Sequence, residues 1–214
     1  MDRPILFSAP MVRALLDGRK TQTRRVLSSD KPNSLFYEQW SDSYVLDPGN
    51  QSWRDRELRY RAGDRLYVRE AWRVTKTLDH VAPRDLDRTT IPEWLATDPE
   101  LYQGRKRPGM HLPRWASRLT LIVTDVRVQR LQEISNEDAL AEGVDPLDWQ
   151  LARYQAEFRE GGIVSSTETR NYIPAFHRLW DSLNAGRGYG WDVNPWVVAI
   201  TFRPILANID QVPA

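Results

Sequence analysis

The stretch Arg118-Leu119-Thr120-Leu121-Ile122-Val123-Thr124-Asp125-Val126-Arg127-Val128-Gln129-Arg130 decides the fold class. Its β-branched and other apolar residues alternate with polar ones along most of the run, which is how a strand divides side chains between two faces. The length suits one strand curving around a barrel, or two strands split by a bend at Thr124-Asp125. Just upstream, Arg61-Ala62-Gly63-Asp64 reads as a turn. It leads into Arg65-Leu66-Tyr67-Val68-Arg69-Glu70-Ala71-Trp72, a central strand with Leu66, Val68 and Glu70 on one side and Arg65, Tyr67, Arg69 and Ala71 on the other. Downstream, Ser135 caps a short helix that ends at Gly143. Residues 194–202, apolar and flanked by proline, have the profile of a buried closing strand.

At the N-terminus, residues 4–7 read as a first strand. Residues 8–17 read as a helix with Met11, Val12, Leu15 and Leu16 on one face, Pro10 in the first turn and Gly18 just past the last. Strands with peripheral helices predict an α+β domain on a small mixed β-barrel. A length of 214 residues predicts one domain over residues 1–214. It carries insertions at about 28–59 and 75–113 and a helical region at about 145–172. The first insertion is expected to hold a hairpin around Asp47-Pro48-Gly49-Asn50. The second is rich in proline and is expected to have little regular structure. Helices are expected over residues 148–161 and 173–183, and the tail after Pro204 is expected to be loosely held.

Composition narrows the function classes. Apolar residues make up 41% and charged residues 28%, so the chain reads as globular, and a net charge of +1 removes any argument from bulk basicity. With no cysteine, thiol catalysis, disulfides and thiolate metal sites are excluded. His80, His111 and His177 have no metal-ligand spacing, so no metal and no cofactor is expected. No signal-like segment and no apolar run of roughly 18 residues is present, which predicts a cytoplasmic protein without a membrane partner. Nine tryptophans supply either core or stacking platforms, and packing is the expectation for each one singly.

The chemistry-bearing stretch is Gly18-Arg19-Lys20-Thr21-Gln22-Thr23-Arg24-Arg25. Here the helix ends and alternation places Thr21, Thr23 and Arg25 on one side, Gln22 and Arg24 on the other. Together with residues 63–72 and with Ile134-Ser135-Asn136-Glu137-Asp138-Ala139-Leu140-Ala141-Glu142-Gly143-Val144, it resembles the ASCH family, a branch of the PUA-like β-barrels. The likeness is to the longer ASCH proteins of phages and prophages in particular. It covers roughly residues 3–27, 61–74, 115–144 and 176–203.

Small ASCH proteins include amidohydrolases that deacylate N(4)-acylated cytidines with a Lys, a Thr and a Glu. The Gly-Arg-Lys-Thr-x-Thr pattern carries the first two onto Lys20 and Thr23. The third falls on Glu142, with Glu137 as the alternative. A threonine hydroxyl becomes a nucleophile when a base takes its proton, and a neutral lysine can be that base. Service near neutrality requires the reference lysine value of about 10.4 to fall by roughly 2 to 3. A glutamate alongside would oppose that fall, so Glu142 is expected to act on the leaving amine or on water.

Arg19, Arg24, Arg25, Tyr67, Arg69, Glu70, Trp72 and Trp196 are the candidate substrate-binding residues. The implied partner is a nucleoside or nucleobase, or RNA; oligomeric state is left open. Two other readings stand beside this one: a PUA-like module that binds RNA or a modified nucleotide without catalysis, and an ASCH-type ribonuclease.

Overall fold

The computed structural model describes residues 1–27, 33–37, 39–97, 101–144 and 171–213. The helix expected over residues 148–161 lies outside them. In chain order the strands and α-helices are β1 (Asp2–Leu6), α1 (Ala9–Leu16), β2 (Gln22–Val26), α2 (Asp42–Leu46), α3 (Gln51–Glu57), β3 (Arg65–Arg69), β4 (Trp72–Arg73), β5 (Glu93–Trp94), β6 (Thr120–Arg130), α4 (Asn136–Ala141), α5 (Ile173–Asn184) and β7 (Trp196–Ile205). The fold is α+β.

Five strands form one mixed sheet in the order β1-β3-β6-β7-β2. β1 runs parallel to β3 with Ile5 opposite Val68, and β3 runs antiparallel to β6 with Leu66 opposite Leu121. The expected barrel is an open sheet here, with β1 and β2 as its edges. Both edge strands have five residues, against eleven in β6 and ten in β7. Closure needs strands long enough to tilt and stagger into register. The bend foreseen at Thr124-Asp125 does not interrupt β6, which is continuous.

Contacts group the described chain into two compact units, each assembled from separate segments. Unit 1 comprises residues 1–21, 62–125 and 201–214; unit 2 comprises 22–61 and 126–200. In unit 1, Ile5, Leu66, Val68, Leu119 and Leu121 are buried around β1, β3 and the start of β6. α1 buries Val12, Ala14 and Leu15, and it stops because Gly18 adopts a left-handed φ of 71°. The amides of Arg19 and Lys20 both donate to the Ala14 carbonyl, which fixes the corner leading out of the helix.

The 75–113 segment has little regular structure but owns a core of Trp72, Val74, Leu86, Leu112 and Ala116. Gly104 is required there, since a Cβ would sit 1.9 Å from the Val74 carbonyl oxygen. Glu93 of β5 ties this region down. It accepts from Arg73 at 2.9 and 3.2 Å and from the amides of Leu101 and Tyr102. Burial would raise its pKa, but Arg73 and the two amides outweigh that and hold the carboxyl below its usual range.

The tail after Pro204 is anchored. Ile209 is fully buried, and the Asn208 amide nitrogen lies within 2.7 to 3.1 Å of the carbonyls of Arg114, Trp115 and Ser117. Asp210 accepts from Arg114. The tail expected to be loosely held is fixed by a side-chain clasp and a buried isoleucine.

Unit 2 is built on two cores. One joins Leu131, Ile134, Ala139, Phe176, Trp180 and Val197; the other joins Leu35, Phe36, Val45 and Trp196. The hairpin expected at Asp47-Pro48-Gly49-Asn50 is a 3-10 turn between α2 and α3. Asp47 Oδ1 accepts from the Gly49 amide at 2.7 Å and Asn50 donates to the Tyr44 carbonyl. Turn-forming side chains of this kind start helices as readily as they reverse strands. The Arg54 guanidinium reaches back to the carbonyls of Val45 and Asp47, which binds the helices together.

Candidate functional site

β2 and α4 carry the best-defined polar cluster of unit 2. α4 starts where Ser135 Oγ accepts from the Asp138 amide at 3.1 Å, and it ends at Gly143, whose φ is 80°. Six helical residues between two such stops place Asp138 and Glu142 one turn apart, on the same side. β2 alternation puts Gln22 and Arg24 together.

The two elements are joined by Arg24, whose side chain is completely enclosed. Its Nη1 donates to Gln22 Oε1 at 2.6 Å and to Glu142 Oε1 at 3.1 Å, and its Nη2 donates to Asp138 Oδ2 at 2.7 Å. The guanidinium carbon lies 5.7 Å from the Phe176 ring centroid. Asp138 also accepts from Gln22 Nε2 and Arg127 Nη2, both at 3.1 Å. Burial alone would raise the Asp138 pKa; the Arg127 hydrogen bond, the Arg24 charge and the Gln22 hydrogen bond reverse this and hold it below the usual carboxylate value.

Thr23 and Arg25 occupy the other parity of β2. Thr23 is buried. Arg25 has its pKa lowered by burial, opposed by the neighbouring Tyr60 and Glu142 and reinforced by the charge of Arg187. A guanidinium stays protonated through any such shift, so Arg25 is a fixed cation near a carboxylate. Tyr60 and Arg187 were not singled out from the sequence. The loop 185–190 is an ordered turn in which Tyr189 and Gly188 donate to the carbonyls of Asn184 and Ala185. Asp138 was not among the candidate site residues read from the sequence. Its role as the acceptor for three side chains depends on partners more than a hundred residues away for Gln22 and Arg24, which no local pattern reveals.

The remaining candidates divide by unit. In unit 1, Lys20 is fully buried, with its ammonium 5.5 Å from the Phe7 ring centroid. Arg19 pairs with Asp17 at the surface. Glu70 is buried and accepts from both ends of the Arg118 guanidinium at 2.9 and 3.0 Å. Tyr67 is flanked by Arg69 and Arg114, at 5.4 and 5.7 Å from its ring centroid, and Arg69 donates to its hydroxyl at 3.3 Å. Trp72 is fully enclosed beneath Arg107. In unit 2, Trp196 is 4% exposed, covered by Arg130 at 4.3 Å and tilted against Phe36. Both tryptophans are packed rings.

His177 stacks on Trp191 and meets Asp181 at 3.0 Å. Among the described residues no three acidic or histidine side chains gather as a metal site. No helix there is long and apolar enough to cross a membrane.

No family model matches the chain, and no curated protein does. Solved structures similar to it include protein EF3133 from Enterococcus faecalis V583, of the family DUF984. That likeness has 12% identity and a TM-score of 0.38, and covers all of this chain and 85% of that one. They also include, at 11% identity and a TM-score of 0.38 over 95% of this chain and 79% of the other, an ASCH domain from Lactobacillus crispatus JV V101.

Proposed function

We propose that the chain is an amidohydrolase that removes the acyl group from N(4)-acylated cytosine or cytidine, with Lys20, Thr23 and Glu142 as its catalytic residues. The observation that carries the reading is enclosure. Lys20, Thr23 and Glu142 are 0%, 1% and 4% exposed, and burial disfavours a charged amine, the condition under which lysine serves as a base. A lysine buried to this degree is rare where only packing is at stake.

In the proposed reaction Thr23 Oγ attacks the acyl carbonyl carbon and its proton passes to Lys20. The tetrahedral oxyanion is stabilised by Arg25, the cation of the same strand parity, because Arg24 is already committed to Gln22, Asp138 and Glu142. Collapse breaks the C–N bond, and the departing cytosine amine takes the proton from Lys20. Water then attacks the threonine ester and gives a proton to Glu142, which passes it to Thr23 Oγ as the ester C–O bond breaks, releasing the carboxylic acid and restoring the hydroxyl and the carboxylate. Arg24 is a positioning residue that holds Glu142.

The test is release of cytidine from 4-acetylcytidine by the purified protein. Turnover that disappears in Thr23→Ala and in Lys20→Met, with both variants folded, supports the reading. Absence of turnover on every acylated cytosine sinks it.

A second reading, binding of a nucleotide or RNA without catalysis, is favoured by one feature. Arg25 and Arg187 lie within electrostatic range of each other, and like charges are brought together at less cost when an anion is shared between them. RNA affinity unchanged by Thr23→Ala and weakened by Arg25→Ala, without turnover, is the result that selects it.

A further inference from the structure

Two adjoining cavities open in unit 1, both walled by the 75–113 segment. One, of about 320 Å³, is lined by Pro83, Arg105, Lys106, Arg107, Pro108 and His111. The other, of about 400 Å³, shares Pro83 and His111 and adds Arg69, Arg84 and Leu112. Among the described residues, their linings hold five basic side chains and a histidine, and no carboxylate.

Two of these cations hydrogen-bond backbone carbonyls. Arg107 is 4% exposed, and its Nη atoms donate to the carbonyls of Val81 and Leu78 at 3.0 and 2.9 Å while its Nε, also buried, has no partner. Its pKa is lowered by burial first and then by the charge of Arg105, against a smaller raising effect of Asp79. Arg69 donates to the Met110 carbonyl at 3.0 Å and to the Tyr67 hydroxyl, and its buried Nε is likewise unpartnered.

Enclosed charge is expensive unless an opposite charge compensates it, and carbonyl dipoles do so only partly. Two described acids of the same segment have partners of their own. Asp79 accepts the Arg105 backbone amide at 2.9 and 3.1 Å, and Asp85 pairs loosely with the exposed Arg84 at 3.7 Å. The segment carrying Arg105, Lys106 and Arg107 is fixed between Gly104 and Gly109, where a Cβ would meet the Val74 carbonyl at 1.9 Å and the Glu70 backbone at 2.9 Å. The positive charges are therefore presented by rigid backbone rather than by a mobile loop.

We propose that these two cavities form a binding site for the phosphate groups of a ligand, with Arg107 and Arg69 as its fixed floor and Arg84, Arg105, Lys106 and His111 as its rim. The compensating charge the arginines need is then supplied by phosphate oxygens, which guanidinium forks match well. Among the described residues, no Phe, Tyr or Trp lines either cavity, and His111 is the one ring present. Bases are gripped by stacking, so this site reads the phosphate and is indifferent to base sequence. The site is independent of the hydrolase reading and involves none of its three catalytic residues.

The test is isothermal titration of the full chain with inorganic pyrophosphate, and fluorescence anisotropy with a short single-stranded RNA, both at low and moderate salt. Binding is expected for at least one probe, falling steeply as salt rises. Arg105→Gln with Lys106→Gln, at exposed positions whose backbone bonds are retained, is expected to weaken it at least tenfold. Arg84→Gln, fully on the rim, is expected to weaken it two- to threefold.

Pyrophosphate binding as tight as RNA binding identifies a small phosphorylated ligand; tighter RNA binding identifies a polynucleotide backbone. No binding of either probe, or equal binding by the double variant, overturns the proposal. Thr23→Ala, assayed in parallel for deacylation, lets the two readings fail separately.

Discussion

Arg24 in unit 2 and Arg107 in unit 1 are both enclosed guanidiniums, and they are satisfied in opposite ways. Arg24 meets Asp138 at 2.7 Å and Glu142 at 3.1 Å. Arg107 meets two backbone carbonyls, with no carboxylate among the acceptors of its hydrogen bonds, while the Nε of each arginine is buried without a hydrogen bond among the described residues. The first arrangement is closed: a strand and a helix are riveted by charges that compensate one another. The second leaves net positive charge inside a cavity wall. A buried cation is thus not by itself a sign of function; what matters is whether its own chain supplies the counter-charge.

The most severe way to probe the closed arrangement is Arg24→Met. It strands Glu142, and half of the support of Asp138, as uncompensated buried charge. Chemical denaturation should show a loss of about 3 to 5 kcal/mol. A loss under about 1 kcal/mol would mean that the cluster hydrates freely and that the comparison fails. Arg107→Met removes a cation but orphans only the carbonyls of Leu78 and Val81. The expected cost is about 1 to 3 kcal/mol, smaller than at Arg24. An equal or larger loss would reverse the ranking.

Lys20→Met sharpens the comparison from another side. If Lys20 is buried for catalysis rather than for packing, a side chain of similar shape without the charge should leave thermal stability equal or slightly higher while turnover falls at least a thousandfold. A large drop in stability would make Lys20 a structural residue.

The smallest effect expected is pH-dependent. Asp138 is held below its ordinary value of 3.8, so its ionised form stabilises the folded state above that value. The contribution fades as pH falls through the lower folded value. Asp138→Asn should therefore be less stable than the parent at pH 7, by about 1 to 2 kcal/mol, and the gap should close below roughly pH 4. A gap that is unchanged at pH 3 would mean that the hydrogen-bond geometry matters and the charge does not.

The sequence made the secondary structure around this cluster readable. The helix stop at Gly18, the alternation of Gln22 and Arg24, the long strand of β6 and the Ser135 cap are all local signals, and each has a counterpart in the structure. What it could not show is which charge meets which. Arg24 looked like a ligand-facing residue because basic runs usually face solvent, and only the 114 positions separating it from Asp138 explain why it turns inward. Asp47-Pro48-Gly49-Asn50 was misread because the same side-chain-to-backbone bonds serve hairpins and helix starts. The cationic cavities were invisible for a related reason. Residues 69, 84 and 105–107 are scattered, and no periodicity links a turn to a strand end.

The Asn208 clasp bears on how this protein can be handled. A single amide nitrogen gathers the carbonyls of Arg114, Trp115 and Ser117, just before β6 begins. Trimming the chain back to residue 207 would release that corner and bare the Ile209 socket, whereas an affinity handle appended beyond residue 213 leaves the knot tied.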